Sequence, residues 1–132
     1  MVERTRLWRC AFWIYVPILF AATHTPGVKI DTRVRIDLVV HFGAFGTWAG
    51  LLALAAYFGP ALAWRNIRKV WPIAVVYAAV DEGLQAIPFV HRHAAVDDWA
   101  ANVGGITIAC VSLLLLGVWM RKRAAGSPRS SR

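Results

Sequence analysis

Residues Asp37 to Gly59 form a long apolar run with no charged side chain after Asp37 and a single histidine, His41. A helix needs about 20 mostly apolar residues to cross a hydrocarbon core of about 30 Å, so this run alone points toward a bilayer. Three more stretches follow the same rule. Trp99 to Met120 carries no charge, and Leu7 to Thr23 is interrupted only by Arg9 and Pro17. Val70 to Val90 is apolar except around Asp81, Glu82 and Gln85. If the third segment stopped before Asp81 it would reach only about 16 Å, half a bilayer, and strand backbone groups in lipid. The span is therefore read as including its acids.

Composition points the same way. The chain has 132 residues, 58% hydrophobic and 17% charged, where average globular chains run about 45–50% and about 25%. One domain is expected at this length. The net charge of +8 would suit a nucleic-acid binder, but such proteins present their cations on a solvated face, which this sequence lacks. No nucleic-acid partner is expected. Cys10 and Cys110 make neither a disulfide scaffold nor a zinc signature. The first stretch has the basic start of a signal peptide. Ala21-Ala22-Thr23 is a poor cleavage site, however, and Trp8, Trp13 and Tyr15 suit a retained, interface-anchored helix.

The expected fold class is therefore all-α: a polytopic integral membrane protein of four transmembrane helices packed as a bundle. The spans cover about 7–23, 37–59, 70–90 and 99–120 of a membrane domain, 1–120, followed by a basic, disordered cytoplasmic tail, 121–132. Four spans put the N-terminus, the second connection and the C-terminus on one side. That side holds Arg4, Arg6, Arg9, Arg65, Arg68, Lys69, Arg121, Lys122, Arg123, Arg129 and Arg132, against Lys29, Arg33, Arg35 and Arg92 on the other. The positive-inside bias places both termini in the cytoplasm. Of the acids only Glu3 falls inside; Asp31, Asp37, Asp81, Glu82, Asp97 and Asp98 lie in the outer half or beyond it.

Those outer acids come with polar neighbours at helical spacing. Asp37 and His41 are i, i+4; so are Asp81 and Gln85, and Asp98 and Asn102, while Glu82 and Gln85 are i, i+3. Glu82 lies about 12 Å below the outer boundary counted from Val90. Each charge facing lipid would cost about 2.5–3.5 kcal/mol on insertion scales, so convergence on one interior pocket is the economical arrangement. Asp37 and Asp98 also suit helix N-termini, and a single buried histidine more often bonds between helices than catalyses. An acidic pair inside a span, Asp81 with Glu82, points to function. Gly46 with Gly50, extended by Gly43 and Ala53, and Gly104 with Gly105, offer small surfaces for close helix contact. The irregular spacing of His91, His93, Glu82 and Asp98 does not make a metal site, and neither a P-loop nor a serine nucleophile elbow is present. No cofactor is expected.

Asp37-Leu-Val-Val-His41-Phe42, then Asp81-Glu82-Gly-Leu-Gln85, then Arg92 with Asp98-Trp-Ala-Ala-Asn102-Val-Gly104, resembles the VanZ-like family of small four-helix bacterial membrane proteins. The resemblance spans roughly residues 20–117. It departs at Leu38, where the family often has Lys, and in Pro88-Phe-Val-His-Arg92, where it often has Pro-Gly-Arg. It implies a place in the bacterial cell envelope, in the inner membrane, and a contribution to teicoplanin-type resistance. The residues leave three functions open. An outward pocket of Asp37, His41, Asp81, Glu82, Gln85, Arg92, Asp98 and Asn102 would bind a lipid headgroup, a cell-wall precursor or a glycopeptide, with Arg92 facing its phosphate or carboxylate. An intramembrane enzyme would use Glu82 or Asp81 as acid/base with His41 as partner. A proton-coupled carrier would relay protons through the same groups.

Overall fold

The apolar runs fold as helices because a helix satisfies its own backbone hydrogen bonds and leaves side chains free to sort by face. The computed structural model describes residues 2–24, 36–85 and 96–126, which form four helices: α1 (Val2–His24), α2 (Ile36–Leu54), α3 (Trp64–Gln85) and α4 (Val96–Gly126). Two of them, α2 and α4, are long and apolar enough to cross a membrane. Acidic residues occupy first turns, Asp37 in α2 and Asp97 and Asp98 in α4, where the positive end of the helix dipole favours them. Pro17 and Pro72 lie inside α1 and α3.

Helix boundaries depart from the expected spans: α1 begins at Val2 rather than near residue 7 and α3 at Trp64 rather than near 70, while residues 86–90 of the third span lie outside the described residues. α2 stops at Leu54 rather than near Gly59, and a turn occupies 55–63. Ala56 there has φ 54° and Gly59 φ 148°, both outside helical backbone. Asn66 latches this turn: its Nδ2 donates to the Ala53 carbonyl at 2.8 Å and the Ala61 carbonyl at 3.2 Å, and its Oδ1 accepts from the Phe58 amide at 3.2 Å. At the other end of the chain, α4 continues through Gly126, so residues 121–126 of the expected disordered tail are helical. Ala124 and Ala125 favour helix, and Arg121, Lys122 and Arg123 complement the negative end of its dipole. Residues 127–132 lie outside the described residues.

Contacts define the bundle order. Tyr15 Oη donates to the Ala44 carbonyl at 3.1 Å and Arg9 Nε to the Ala55 carbonyl at 3.0 Å, so α1 and α2 are antiparallel. Trp48 stacks on Tyr77 at 4.5 Å between ring centroids, while Asn66 reaches Ala53, so α2 and α3 are antiparallel too. α2 and α4 run parallel and pack most extensively, His41 meeting Asn102 and Gly46 meeting Gly105. A Cβ on Gly105 would collide with the Phe42 carbonyl oxygen, and one on Gly46 would approach the Gly105 carbonyl to 3.1 Å. Of the expected small surface, Gly46 and Gly105 make the close approach, and Gly104 faces the Phe42 ring. Gly43 and Gly50 face open space.

The core holds Phe12, Phe45, Trp48, Ile67, Val70 and Ile106. Its periphery inverts the usual soluble pattern. Exposed side chains include Ile14 and Ile18 on α1, Val39 on α2, Val76 on α3, and Ile108 and Leu115 on α4, while Asp81, Glu82, Gln85, His41 and Asn102 are buried.

Candidate functional site

Because successive helices alternate in direction, the C-terminal ends of α1 and α3 meet the N-terminal ends of α2 and α4. Each helix brings polar side chains to that end: Thr23 and His24 from α1, His41 from α2, Asp81, Glu82 and Gln85 from α3, and Asp98 and Asn102 from α4. Asp81 is 2% exposed and Asn102 0%, so these groups are withdrawn from the surroundings almost completely. A buried polar group without a partner is costly, and most of the cluster is accounted for by mutual bonds.

Asp81 is the centre of one half. Its Oδ1 accepts from the Thr23 hydroxyl at 3.0 Å, and its Oδ2 accepts from Gln85 Nε2 at 3.0 Å, one turn further along α3. His24 Nδ1 stands 3.8 Å from Oδ1. The Thr23 hydroxyl also lies 3.1 Å from the Leu19 and Phe20 carbonyls, but it has one proton, and the Asp81 oxygen at 3.0 Å is the nearest of the three acceptors. His24 Nδ1 is 3.0 Å from Thr23 Oγ1 and 2.9 Å from the Phe20 carbonyl, and its ring stacks on Phe20 at 4.0 Å. The His24 Nε2 atom is buried with no hydrogen-bond partner among the described residues.

His41 is the centre of the other half. Its Nδ1 is 3.1 Å from Asn102 Oδ1 and its Nε2 is 3.9 Å from Asp98 Oδ2. Two proton arrangements satisfy this row. A charged imidazole donates from both nitrogens, to Asn102 and toward Asp98. Alternatively, the Asn102 amide is turned so that its NH2 donates to Nδ1, and Nε2–H faces the carboxylate. In the first arrangement Asn102 Nδ2 is buried without a partner among the described residues. His24 Nδ1, 3.8 Å from Asp81, closes the first half, and the two halves lie side by side at the same end of the bundle. Beneath them the rings of Phe45, Tyr77 and Trp48 form an aromatic floor, in which Trp48 Nε1 and Tyr77 Oη are buried without a hydrogen-bond partner among the described residues.

Of the expected site residues, His41, Asp81, Glu82, Gln85, Asp98 and Asn102 come together at one end of the bundle. Asp37 is exposed in the first turn of α2, the placement of a residue that complements the helix dipole. Arg92 lies outside the described residues. Thr23 and His24 are additions. The signal for them was their place: they close the apolar run of α1 with a polar pair, at the end where each other helix carries polar side chains.

The opposite end has the opposite chemistry. Arg9 meets Ala55, and Gly117 meets the Leu62 carbonyl, so the start of α1, the 55–63 turn and the end of α4 share that end. Among the described residues it carries Arg4, Arg6, Arg9, Arg65, Arg68, Lys69, Arg121, Lys122 and Arg123 with the single acid Glu3. The polar end carries Asp37, Asp81, Glu82, Asp97 and Asp98 and, among the described residues, no Lys or Arg. Fold and site thus define an all-helical bundle with a buried acid, histidine and amide network at one end and a cationic collar at the other. No protein-family model matches the chain, and neither a curated protein nor a solved structure is similar to it.

Proposed function

We propose that the chain is a VanZ-like, four-span protein of a bacterial cell membrane, with both termini cytoplasmic and the polar end facing out. There it receives a polar group presented at the outer leaflet: a lipid headgroup, a cell-wall precursor or a glycopeptide. One observation carries this reading: all four helices contribute to the buried polar network, and the network lies at the end remote from the cations. In lipid, intramembrane acids and histidines face a bundle interior and mark sites of function, and cations concentrate on the cytoplasmic side. Exposed apolar residues on α1 and α3, Ile14, Ile18, Ile73 and Val76 among them, support membrane contact for these two helices as well.

The side chains at the centre of the site are held by their neighbours. Both Asp81 oxygens already accept hydrogen bonds, and both His41 nitrogens face partners, so neither group meets a substrate without releasing one. Side chains held in this way suit a pre-organised binding wall and equally an oriented acid or base, and the Glu82 variant below separates the two.

Two experiments test the proposal. Reporter fusions after residue 68 should read cytoplasmic and those after residue 93 extracytoplasmic; the reverse overturns the sidedness. Glu82→Gln in the reconstituted full chain should weaken retention of lipid-linked precursor added to the vesicles. Retained binding with lost conversion of that precursor would instead establish an enzyme, and no change in either would remove Glu82 from the site.

A further inference from the structure

The cationic end has a built centre. Within the 55–63 turn two adjacent rings each carry a cation from a different helix: the Arg9 guanidinium of α1 lies 4.7 Å from the Tyr57 ring centre, and Lys69 Nζ of α3 lies 5.7 Å from that of Phe58. Arg9 is further fixed by its Nε bond to the Ala55 carbonyl, and Tyr57 by Trp13 Nε1, which donates to its hydroxyl at 2.8 Å. Both cations are exposed, and among the described residues no carboxylate pairs with either. A ring holds a cation in place without consuming its hydrogen-bond donors, so the remaining N–H groups of Arg9 and Lys69 stay available to an anion. Arg65 and Arg68 follow on the exposed side of α3 beside the same turn. Trp13 and Trp64, 62% and 64% exposed, add amphipathic rings suited to the headgroup boundary.

We propose that this turn, with Arg9 on Tyr57 and Lys69 on Phe58, is a recognition site for the phosphate of an anionic phospholipid in the leaflet around it. The inference rests on the reading of the chain as a membrane protein. The lipid is favoured as occupant because the positive groups stand beside exposed apolar and tryptophan surface, where a phosphate arrives attached to acyl chains. Arg9 offers a forked donor pair for the phosphate oxygens, and Lys69 a point charge.

The test uses the full chain purified in neutral detergent. Retention of phosphatidylglycerol and of phosphatidylcholine is compared by native mass spectrometry and by the shift each lipid gives in thermal unfolding. Wild type should prefer phosphatidylglycerol. Arg9→Gln with Lys69→Gln should reduce that preference by roughly tenfold or more, since each surface cation contributes appreciably to anionic-lipid attraction. Arg121→Gln with Lys122→Gln removes the same charge from the same end without touching a cation held on a ring, and should leave most of the preference. Lys69→Gln alone breaks no hydrogen bond and should still lower it, which separates recognition from folding. Equal retention of the two lipids, or equal loss in both double variants, overturns the site. Displacement of the lipid by millimolar inorganic phosphate overturns the lipid as its occupant. Release of the chain from membranes by alkaline carbonate is a separate outcome that defeats the membrane reading itself.

Discussion

Thr23 at the end of α1 donates its hydroxyl proton to Asp81 of α3 across 3.0 Å, joining two buried side chains that stand 58 positions apart in the chain. With Gln85 on its other oxygen, Asp81 is held on α3 while it links that helix to α1, which otherwise approaches it at few positions.

Removing the hydroxyl should therefore loosen the bundle. Thr23→Val keeps shape and deletes the donor, leaving a buried carboxylate oxygen short of one bond. Interhelical hydrogen bonds in membranes average about 0.6 kcal/mol and reach about 1.7 kcal/mol, and the carboxylate puts this one toward the upper end. Thermal unfolding in detergent should show a lower midpoint for Thr23→Val, with Thr23→Ser close to wild type. An unchanged midpoint for Thr23→Val would show that Asp81 draws nothing from α1.

Gly105 and Gly43 make a matched contrast. A methyl at Gly105 would strike the Phe42 backbone oxygen, which cannot rotate away, so Gly105→Ala should force α2 and α4 apart and lower stability by several kcal/mol. Gly43→Ala meets nothing within 4 Å and should be neutral or stabilising by up to about 1 kcal/mol through helix propensity. Size-exclusion profiles and unfolding midpoints of the two variants read the difference directly.

Ala56 follows the end of α2 with φ 54°, a left-handed conformation that costs a side-chain-bearing residue roughly 1–2 kcal/mol relative to right-handed backbone. Ala56→Gly should relieve part of that and raise the unfolding midpoint slightly. Asn66→Leu, by contrast, removes three hydrogen bonds that hold the same turn and should destabilise clearly. A stabilised Asn66→Leu would show that the turn is held by its apolar contacts alone.

Pairwise cysteines test the polar end. In a background lacking Cys10 and Cys110, His41→Cys with Asn102→Cys and Thr23→Cys with Asp81→Cys should crosslink with short reagents, because the native side chains are within hydrogen-bond distance. Val39→Cys with Asn102→Cys should not, since Val39 is directed outward. Crosslinking of none of the pairs would mean that the polar side chains act as separate helix-end residues.

What the sequence by itself determined is what depends on neighbours a few positions away. Apolar run length specified four helices, and i, i+4 spacing placed Asp81 with Gln85 on one side of α3, where the two are hydrogen-bonded. It also sorted the cations from the acids, since direction alternates along the chain once the helices are counted. The partners of those polar pairs were not legible. His41 meets Asn102 across 61 positions and Asp81 meets Thr23 across 58, and nothing local encodes which face of one helix turns to another. Tertiary packing decided that, because the close approach of α2 and α4 at Gly46 and Gly105 sets the rotation that turns His41 inward, while Asp37, one turn nearer the helix end on the same face, is exposed. The same holds at the other end, where Asn66 closes the α2–α3 turn through carbonyls that become acceptors only once α2 has stopped at Leu54. A helix carries its own hydrogen bonds and so announces itself in sequence; a buried polar side chain must find its bonds in another helix, and the fold alone supplies them.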